Sequence, residues 1–352
     1  MQIKITGSGC YIPSEVITNL DFARHEFLNE DGTPFPYSNE VVAEKFLEIT
    51  GIQERRYATE NLLTSDIATI AAQRAIEDSG IDPETLDYII FAHNFGNVKQ
   101  GAIQSDILPS LATRVKYDLK IKNPKCVAYD ILFGCPGWVE GVIQAYAFIK
   151  AGMAKKCLVI GAETLSRVVD IHDRDSMIYS DGAGATIIEA TDATGGILAH
   201  ESATFAHDEA YYLYFGNSFN KDHDPNVRYI KMYGRKIYEF ALSNVPKAMA
   251  ACLEKSGIDI SQVKKVLIHQ ANEKMDEAII HRFFKLYKQT PPEGIMPMSI
   301  HKLGNSSVAT VPTLYDLLVK GQIENQALHP GDVVLFASVG AGMNINAFVY
   351  KM

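Results

Sequence analysis

The chain has one tryptophan in 352 residues, only five cysteines, and no uninterrupted apolar run long enough to cross a bilayer. Each shortage excludes something. The cysteines (Cys10, Cys126, Cys135, Cys157 and Cys252) are odd in number and include no close Cys-x-x-Cys pair, which argues against a disulfide scaffold and a thiolate zinc site. The most apolar stretch, 333–350, is interrupted by Ser338, Gly340, Gly342, Asn344 and Asn346, too polar to span a membrane cheaply. The N-terminus, MQIKITGSGCYIP, lacks a basic segment leading into an apolar one, so no secretory signal is read. A reducing cytoplasm is the expected setting. Positive charge is short as well: 33 Lys and Arg against 42 Asp and Glu give a net charge of −9. That field repels nucleic acid and anionic membrane, so an acidic partner would have to meet a local basic patch. What is present is ordinary for a globular enzyme, with 47% hydrophobic and 21% charged residues and enough length for a large core.

Along the chain, helix, turn and buried strand alternate. Ile3 to Tyr11 reads as a first strand, 29–39 (NEDGTPFPYSN) as a polar, Gly/Pro-rich loop, and the stretch up to Ile49 as a helix ended at Thr50-Gly51-Ile52. Ser65 to Gly80 has helical spacing, with Ser65 as a cap, and Leu86 to Ala92 reads as a buried strand. The order suggests an α/β protein. A repeat sharpens this. Ser79-Gly80-Ile81-Asp82 recurs as Ser256-Gly257-Ile258-Asp259, and the same offset carries Phe91 onto Ile268, in matching helix-turn-strand contexts. Gly182-Ala183-Gly184 and Gly340-Ala341-Gly342 form a second echo. We therefore expect two similar α/β halves, 1–190 and 191–352.

Three residues invite chemistry. The run Val127 to Phe133 reads as a buried strand, broken by Gly134-Cys135-Pro136-Gly137 before a helix from Trp138 to Lys150. A thiol at a helix start meets unpaired amides and the positive end of the helix dipole, which favour thiolate. Pro136 suits the first helical position. The plainer reading is a packed core cysteine. The repeat aligns Ala92 with His269, which closes the buried strand Val266-Leu267-Ile268 at the edge where α/β ligand sites lie. Asn305 follows Gly304, and Ser306-Ser307 could cap the helix after it. Singly, His269 reads as a structural histidine and Asn305 as a turn residue. Jointly they supply a nucleophile and two donors for one carbonyl oxygen.

These stretches resemble the beta-ketoacyl-acyl carrier protein synthase III family, condensing enzymes of the thiolase superfamily. The resemblance runs through GSGCYIPSEVITN at the start, TGIQERR at 50–56, the Cys135 elbow, SDGAGA at 180–185, HQAN at 269–272, LGNSSVAT at 303–310 and VGAG at 339–342. It implies a thiolase-like, five-layered αβαβα fold of two duplicated halves, acting as a homodimer. It implies an acyl group loaded on Cys135 from a primer thioester. Decarboxylative condensation with malonyl on acyl carrier protein would follow, His269 and Asn305 holding the enolate oxygen. The second oxyanion hole would be the backbone N–H groups of Cys135 and Ala341, provided Ala341 keeps a negative φ. No cofactor or metal is implied, the substrates being acyl-coenzyme A or acyl-carrier thioesters.

Carrier docking would fall to Lys274 and Arg282, with His281, Lys285 and Lys288 at helical spacing, and to Arg235 and Lys236; a solvated charged face is the alternative. Arg174 matches a residue that flanks the coenzyme A adenine. This chain has Ile49 where relatives carry Arg, no Trp in the preceding helix, and a longer segment at 29–40, which leaves open whether the primer arrives on coenzyme A or on carrier protein. The acyl pocket is expected near Phe133, Trp138 and 95–112. A condensing enzyme, in fatty acid synthesis or in a specialised lipid pathway as in dialkylresorcinol-forming relatives, is the favoured reading. An acyltransferase of the same fold, a noncatalytic dimer partner and a Cys-His-Asn peptidase are the alternatives.

Overall fold

A computed structural model describes residues 1–352. Strand β1 (Gln2–Tyr11) leads to a small pair, β2 (Glu15–Thr18) and β3 (Glu54–Tyr57), with helix α1 (Asn39–Thr50) between them. There follow α2 (Thr64–Ser79), β4 (Tyr88–His93), α3 (Leu111–Asp118), β5 (Val127–Leu132), α4 (Gly137–Lys150), β6 (Lys156–Thr164) and β7 (Asp181–Thr191). They build one five-stranded sheet in the order β1-β7-β6-β4-β5. The chain then passes to β8 (Gly196–Thr204), a short pair β9 (Leu213–Gly216) and β10 (Tyr229–Met232), α5 (Gly234–Ser256), β11 (Val263–Ile268) and α6 (Glu273–Leu286). The short α7 (Ile300–Leu303), α8 (Thr310–Val319), β12 (Val333–Gly340) and β13 (Asn344–Lys351) complete it. The second sheet runs β11-β12-β13-β8.

The apolar clusters show how the layers stack. Ala68, Ala71, Ala72 and Ala75 of α2 pack on one face of the first sheet against Phe91, Leu158, Ile160 and Ile187. The other face, with Ile90, Val159 and Ile188, meets Trp138, Val139 and Val142 of α4 and Val311, Leu314 and Leu318 of α8, and these meet Leu267, Val334, Phe336 and Phe348 of the second sheet. The remaining face of that sheet packs on α5 and α6 through Val245, Met249, Ile279 and Phe283. The result is five layers, αβαβα, with α4 and α8 in the middle. Such strands are covered on both faces, which is why they read as continuous apolar runs rather than alternating ones.

The repeated tetrapeptide takes one conformation twice. Gly80 (φ 67) and Gly257 (φ 70) each end a helix in the left-handed region, where a side chain would be strained. Asp82 and Asp259 each cap the short turn that follows, accepting from Glu84 N at 3.0 Å and Ser261 N at 2.9 Å. The second echo divides: Gly182 and Gly184 lie inside β7, whereas Gly340–Gly342 form the turn between β12 and β13.

Other expectations are corrected. Ser65 lies inside α2, whose first turn is closed by Asp66 accepting from Leu63 N at 2.8 Å. Pro136 stands one residue before α4, which starts at Gly137. The stretch from Val127 is not a central buried strand. As the last strand of its sheet, β5 leaves Val127 48% and Leu132 67% exposed, because apolar character alone cannot distinguish a covered strand from a sheet edge awaiting a neighbour. No helix is long and apolar enough to cross a membrane.

Candidate active site

Cys135 sits in the four-residue gap between β5 and α4, just ahead of a helix whose first turns, Trp138 to Val142, are wedged between the sheets. The elbow is tight because Gly137 approaches Ala92: an added Cβ would lie 2.8 Å from the Ala92 methyl. Burial pushes the Cys135 thiol up to about 11; the Glu163 carboxylate adds to this, while a bond from the Ser307 hydroxyl and the cysteine's own backbone N–H oppose it.

The second sheet delivers the imidazole. His269 follows β11, held by its backbone N–H donating to Ala337 O at 2.9 Å, and is 5% exposed. Its Nδ1 is enclosed without a hydrogen-bond partner, so Nε2 is the ring nitrogen left to serve a ligand. Burial lowers its pKa to about 4 and keeps the ring neutral near pH 7. The fully buried Gln270 pins this turn to the chain ahead of α7: its Nε2 donates to Pro297 O at 2.8 Å and its Oε1 accepts from Ser299 N at 2.9 Å. Asn272 caps α6, accepting from Met275 N at 3.0 Å.

Asn305 is fastened by its backbone to the segment before β7, donating to Ile178 O at 3.0 Å and accepting from Ser180 N at 2.8 Å. Its Oδ1 accepts from Ser307 N at 2.7 Å. That contact fixes the amide orientation and leaves Nδ2 as a donor. Ser307 therefore orients Asn305 and does not cap the next helix by its side chain; α8 starts at Thr310.

The elbow and the β12–β13 turn touch through main chain. A Cβ on Gly134 would stand 2.6 Å from Ala341 N, and one on Gly340 would stand 2.5 Å from Cys135 N. Only glycine permits that approach. Ala341 keeps a negative φ, the positive values falling on Gly342 (76) and Met343 (49).

Cys135, His269 and Asn305 all line one cavity of about 610 Å³. Its wall includes Phe35, Tyr37, Phe46, Ile49, Ile237 and Tyr238, with Lys45, Arg174 and Arg235 among them. The 29–39 stretch thus does more than loop across the surface: Phe27 and Leu28 are buried beside it, and Phe35 and Tyr37 become channel wall. Arg174 lies 4.6 Å over the Phe35 ring and Lys45 3.9 Å over Tyr37. Cation–aromatic stacking of this kind stiffens the wall.

The basic residues expected to dock a carrier distribute unevenly. Arg235 lines the cavity and pairs with Glu239 at 3.0 Å. Lys236 instead packs over Tyr233 and Tyr212. Lys274 and Arg282 are exposed on α6; Lys274 pairs with Glu48 at 3.4 Å, and Arg282 Nη1 donates to Leu242 O at 3.2 Å. His281 and Lys285 share that helix, whereas Lys288 lies past its end at φ 58. Phe133 and Trp138 do not line the cavity. Trp138 faces away from Cys135 into the core, its ring 6.0 Å from both Phe336 and Phe348 and its Nε1 donating to Thr186 Oγ1 at 3.3 Å. It stands in the first turn of α4, on the side that both sheets cover, so its ring joins the core between them instead of the cavity. No cluster of three or more His, Cys, Asp or Glu could hold a metal ion.

Comparison with known proteins agrees with this fold. The family model described as 3-oxoacyl-[acyl-carrier-protein (ACP)] synthase III matches residues 129–204, and that of its C-terminal part matches 253–352. A beta-ketoacyl-[acyl-carrier-protein] synthase III of Erythrobacter litoralis is 32% identical, the alignment covering 100% of this chain and 99% of the relative. One from Aquifex aeolicus is 31% identical with 100% of both covered. The crystal structure of the Aquifex aeolicus 3-oxoacyl-[acyl-carrier-protein] synthase III superimposes with a TM-score of 0.80 at 30% identity, covering 99% of this chain and 100% of that one.

Proposed function

Because this chain belongs to the beta-ketoacyl-[acyl-carrier-protein] synthase III family, we propose that it catalyses decarboxylative condensation of a Cys135-bound acyl group with malonyl carried on acyl carrier protein. The observation that carries the reading is the shared cavity of Cys135, His269 and Asn305, with the Asn305 oxygen already occupied by Ser307 N. In the first step the Cys135 sulfur attacks the primer thioester carbonyl, a new C–S bond forms, and the departing thiol takes the proton. In the second, the malonyl C–C bond breaks, carbon dioxide leaves, and the electron pair passes into an enolate. His269 Nε2–H and Asn305 Nδ2–H stabilise that oxygen without either carrying net charge. The enolate carbon then attacks the acyl-Cys135 carbonyl, forming the new C–C bond and expelling sulfur. During both acyl transfers the carbonyl oxygen rests on the backbone N–H groups of Cys135 and Ala341, whose chains are in contact through Gly134 and Gly340.

Acyl transfer is served by the backbone pair at Cys135 and Ala341; a second pair of donors, His269 and Asn305, is what an enolate oxygen adds to the requirement, so its presence favours condensation over transfer to an alcohol or amine. The basic residues of α6, Lys274 and Arg282, with Arg235 at the cavity, suit an acidic carrier protein. The open edge of β5, with exposed Val127 and Leu132, and the exposed Ile103, Ile107 and Leu108 in the stretch before α3 support pairing with a second copy.

Intact-protein mass spectrometry tests the reading. The chain is incubated with acyl thioesters on coenzyme A and on carrier protein, then with malonyl carrier protein. An adduct on Cys135, absent from Cys135→Ala and discharged with release of carbon dioxide, is expected. An adduct that only an alcohol or amine discharges would make the protein an acyltransferase.

A further inference from the structure

Behind the Cys135 sulfur lies a chain of polar groups that none of these steps uses. Glu163, near the end of β6, is 1% exposed. Its Oε1 accepts from both the backbone N–H and the side-chain Nδ2 of Asn94, each at 2.5 Å. Asn94 Nδ2 also donates to Ser307 Oγ at 3.2 Å, and Ser307 Oγ lies 3.3 Å from Cys135 Sγ. The chain has a direction. Both N–H bonds of the Asn94 amide are committed, one to a carboxylate and one to the serine oxygen. The Ser307 hydroxyl, already accepting, has one proton to give, and the sulfur is the acceptor it is placed to reach.

The backbone is bent to make this possible. Ser307 adopts φ 54, a left-handed conformation uncommon for any residue but glycine. In it the residue acts twice, donating from its backbone N–H to Asn305 Oδ1 and from its side chain to Cys135.

We propose that Ser307 is a positioning residue for the Cys135 nucleophile: its hydroxyl donates to the sulfur and favours thiolate, and Asn94, aimed by Glu163, fixes the direction of that bond. The proposal rests on Cys135 being the acyl acceptor. Charge is not what Glu163 contributes, since its negative charge opposes thiolate formation; it holds the amide in the orientation that leaves the serine proton free.

Alkylation of Cys135 by iodoacetamide across a pH series tests this on the full chain, with Cys135→Ala giving the background from the four buried cysteines. Ser307→Ala should move the midpoint up by about one pH unit, a roughly tenfold slower reaction near neutrality. Ser307→Gly relaxes the left-handed backbone and also lacks the hydroxyl, so it should show the same shift. A shift in the alanine variant alone would assign the effect to strain and overturn the proposal. Asn94→Asp replaces the donor by an acceptor and should also raise the midpoint, by less when Ser307 is already alanine. Unchanged midpoints, or full additivity of the two substitutions, would equally refute it. Alkylation needs no thioester substrate, so this result is independent of the malonyl discharge experiment.

Discussion

Acidification should destabilise this protein through one imidazole. His269 has an ordinary pKa of 6.5 when the chain is unfolded and about 4 when burial holds it in the cavity wall. A depressed folded value means that stability is complete above 6.5 and is lost as pH falls toward 4, because the unfolded chain takes up a proton the folded chain refuses. Between about pH 7 and about pH 4.5 the unfolded imidazole becomes almost fully charged while the folded one remains mostly neutral. At ~1.4 kcal/mol per pH unit, the loss is about 2 kcal/mol. Buried acids pull the other way: burial raises Glu163 to about 7, Asp175 to about 7 and Asp181 to about 6, so these gain stability on acidification. The informative quantity is therefore the difference between wild type and His269→Gln in urea unfolding at the two pH values. The wild type should lose about 2 kcal/mol more than the variant. A difference that does not change with pH would refute the burial argument. It would also undermine the neutral Nε2–H donor, which predicts that malonyl decarboxylation shows no loss from His269 protonation until well below pH 6.

Other outcomes follow from the same geometry. On the proposed function Asn305 is one of two donors to the enolate oxygen, and Asn305→Ala should slow carbon dioxide release from malonyl carrier protein by roughly 10²-fold or more; near-normal release would place the oxygen elsewhere. Gly340→Ala drives a methyl to 2.5 Å from Cys135 N, and Cys135 acylation should fall by roughly 10²-fold through displacement of the main-chain donors. Reversing Lys274 and Arg282 to Glu should slow carrier-protein encounter by roughly tenfold at low salt, with a smaller effect as salt screens the field. An unchanged rate would return α6 to a merely solvated face.

Much of the architecture can be read from the residues because the same local solution is used twice. Ser79-Gly80-Ile81-Asp82 and its copy both demand a left-handed glycine, an acidic cap and a buried strand, which announces a duplicated sheet before any coordinate is seen. The elbow at Cys135 is legible for a similar reason: glycine and proline around it leave few ways to continue the chain. Other features depend on what arrives from far away in sequence. Nearness to Cys135 in the chain suggests a pocket role for Trp138, yet the second sheet covers it and draws it into the core. Phe35 and Tyr37 sat in a polar stretch whose composition said loop, and only its seating against α1 turns them into channel wall. Ser307 offered the ordinary signal of a helix cap. Its real partners, Asn305 and Cys135, lie two residues and 172 residues away, and no local pattern joins all three. Gln270 carries no sequence signal beyond its place beside His269, yet it ties that turn to the chain leading to Asn305.

The corner where Cys135 meets Ala341 is made of main chain, and mutation reaches main chain only indirectly. A genetic screen that trims side chains to alanine would pass through this corner almost silently: Ala341 is already alanine, and replacing Cys135 reports the lost sulfur rather than the amide beside it. Gly134 and Gly340 are where such a screen would register, and it would do so by adding atoms instead of removing them. For this part of the molecule heredity can write only in the margins, and the tolerated alphabet there has one letter.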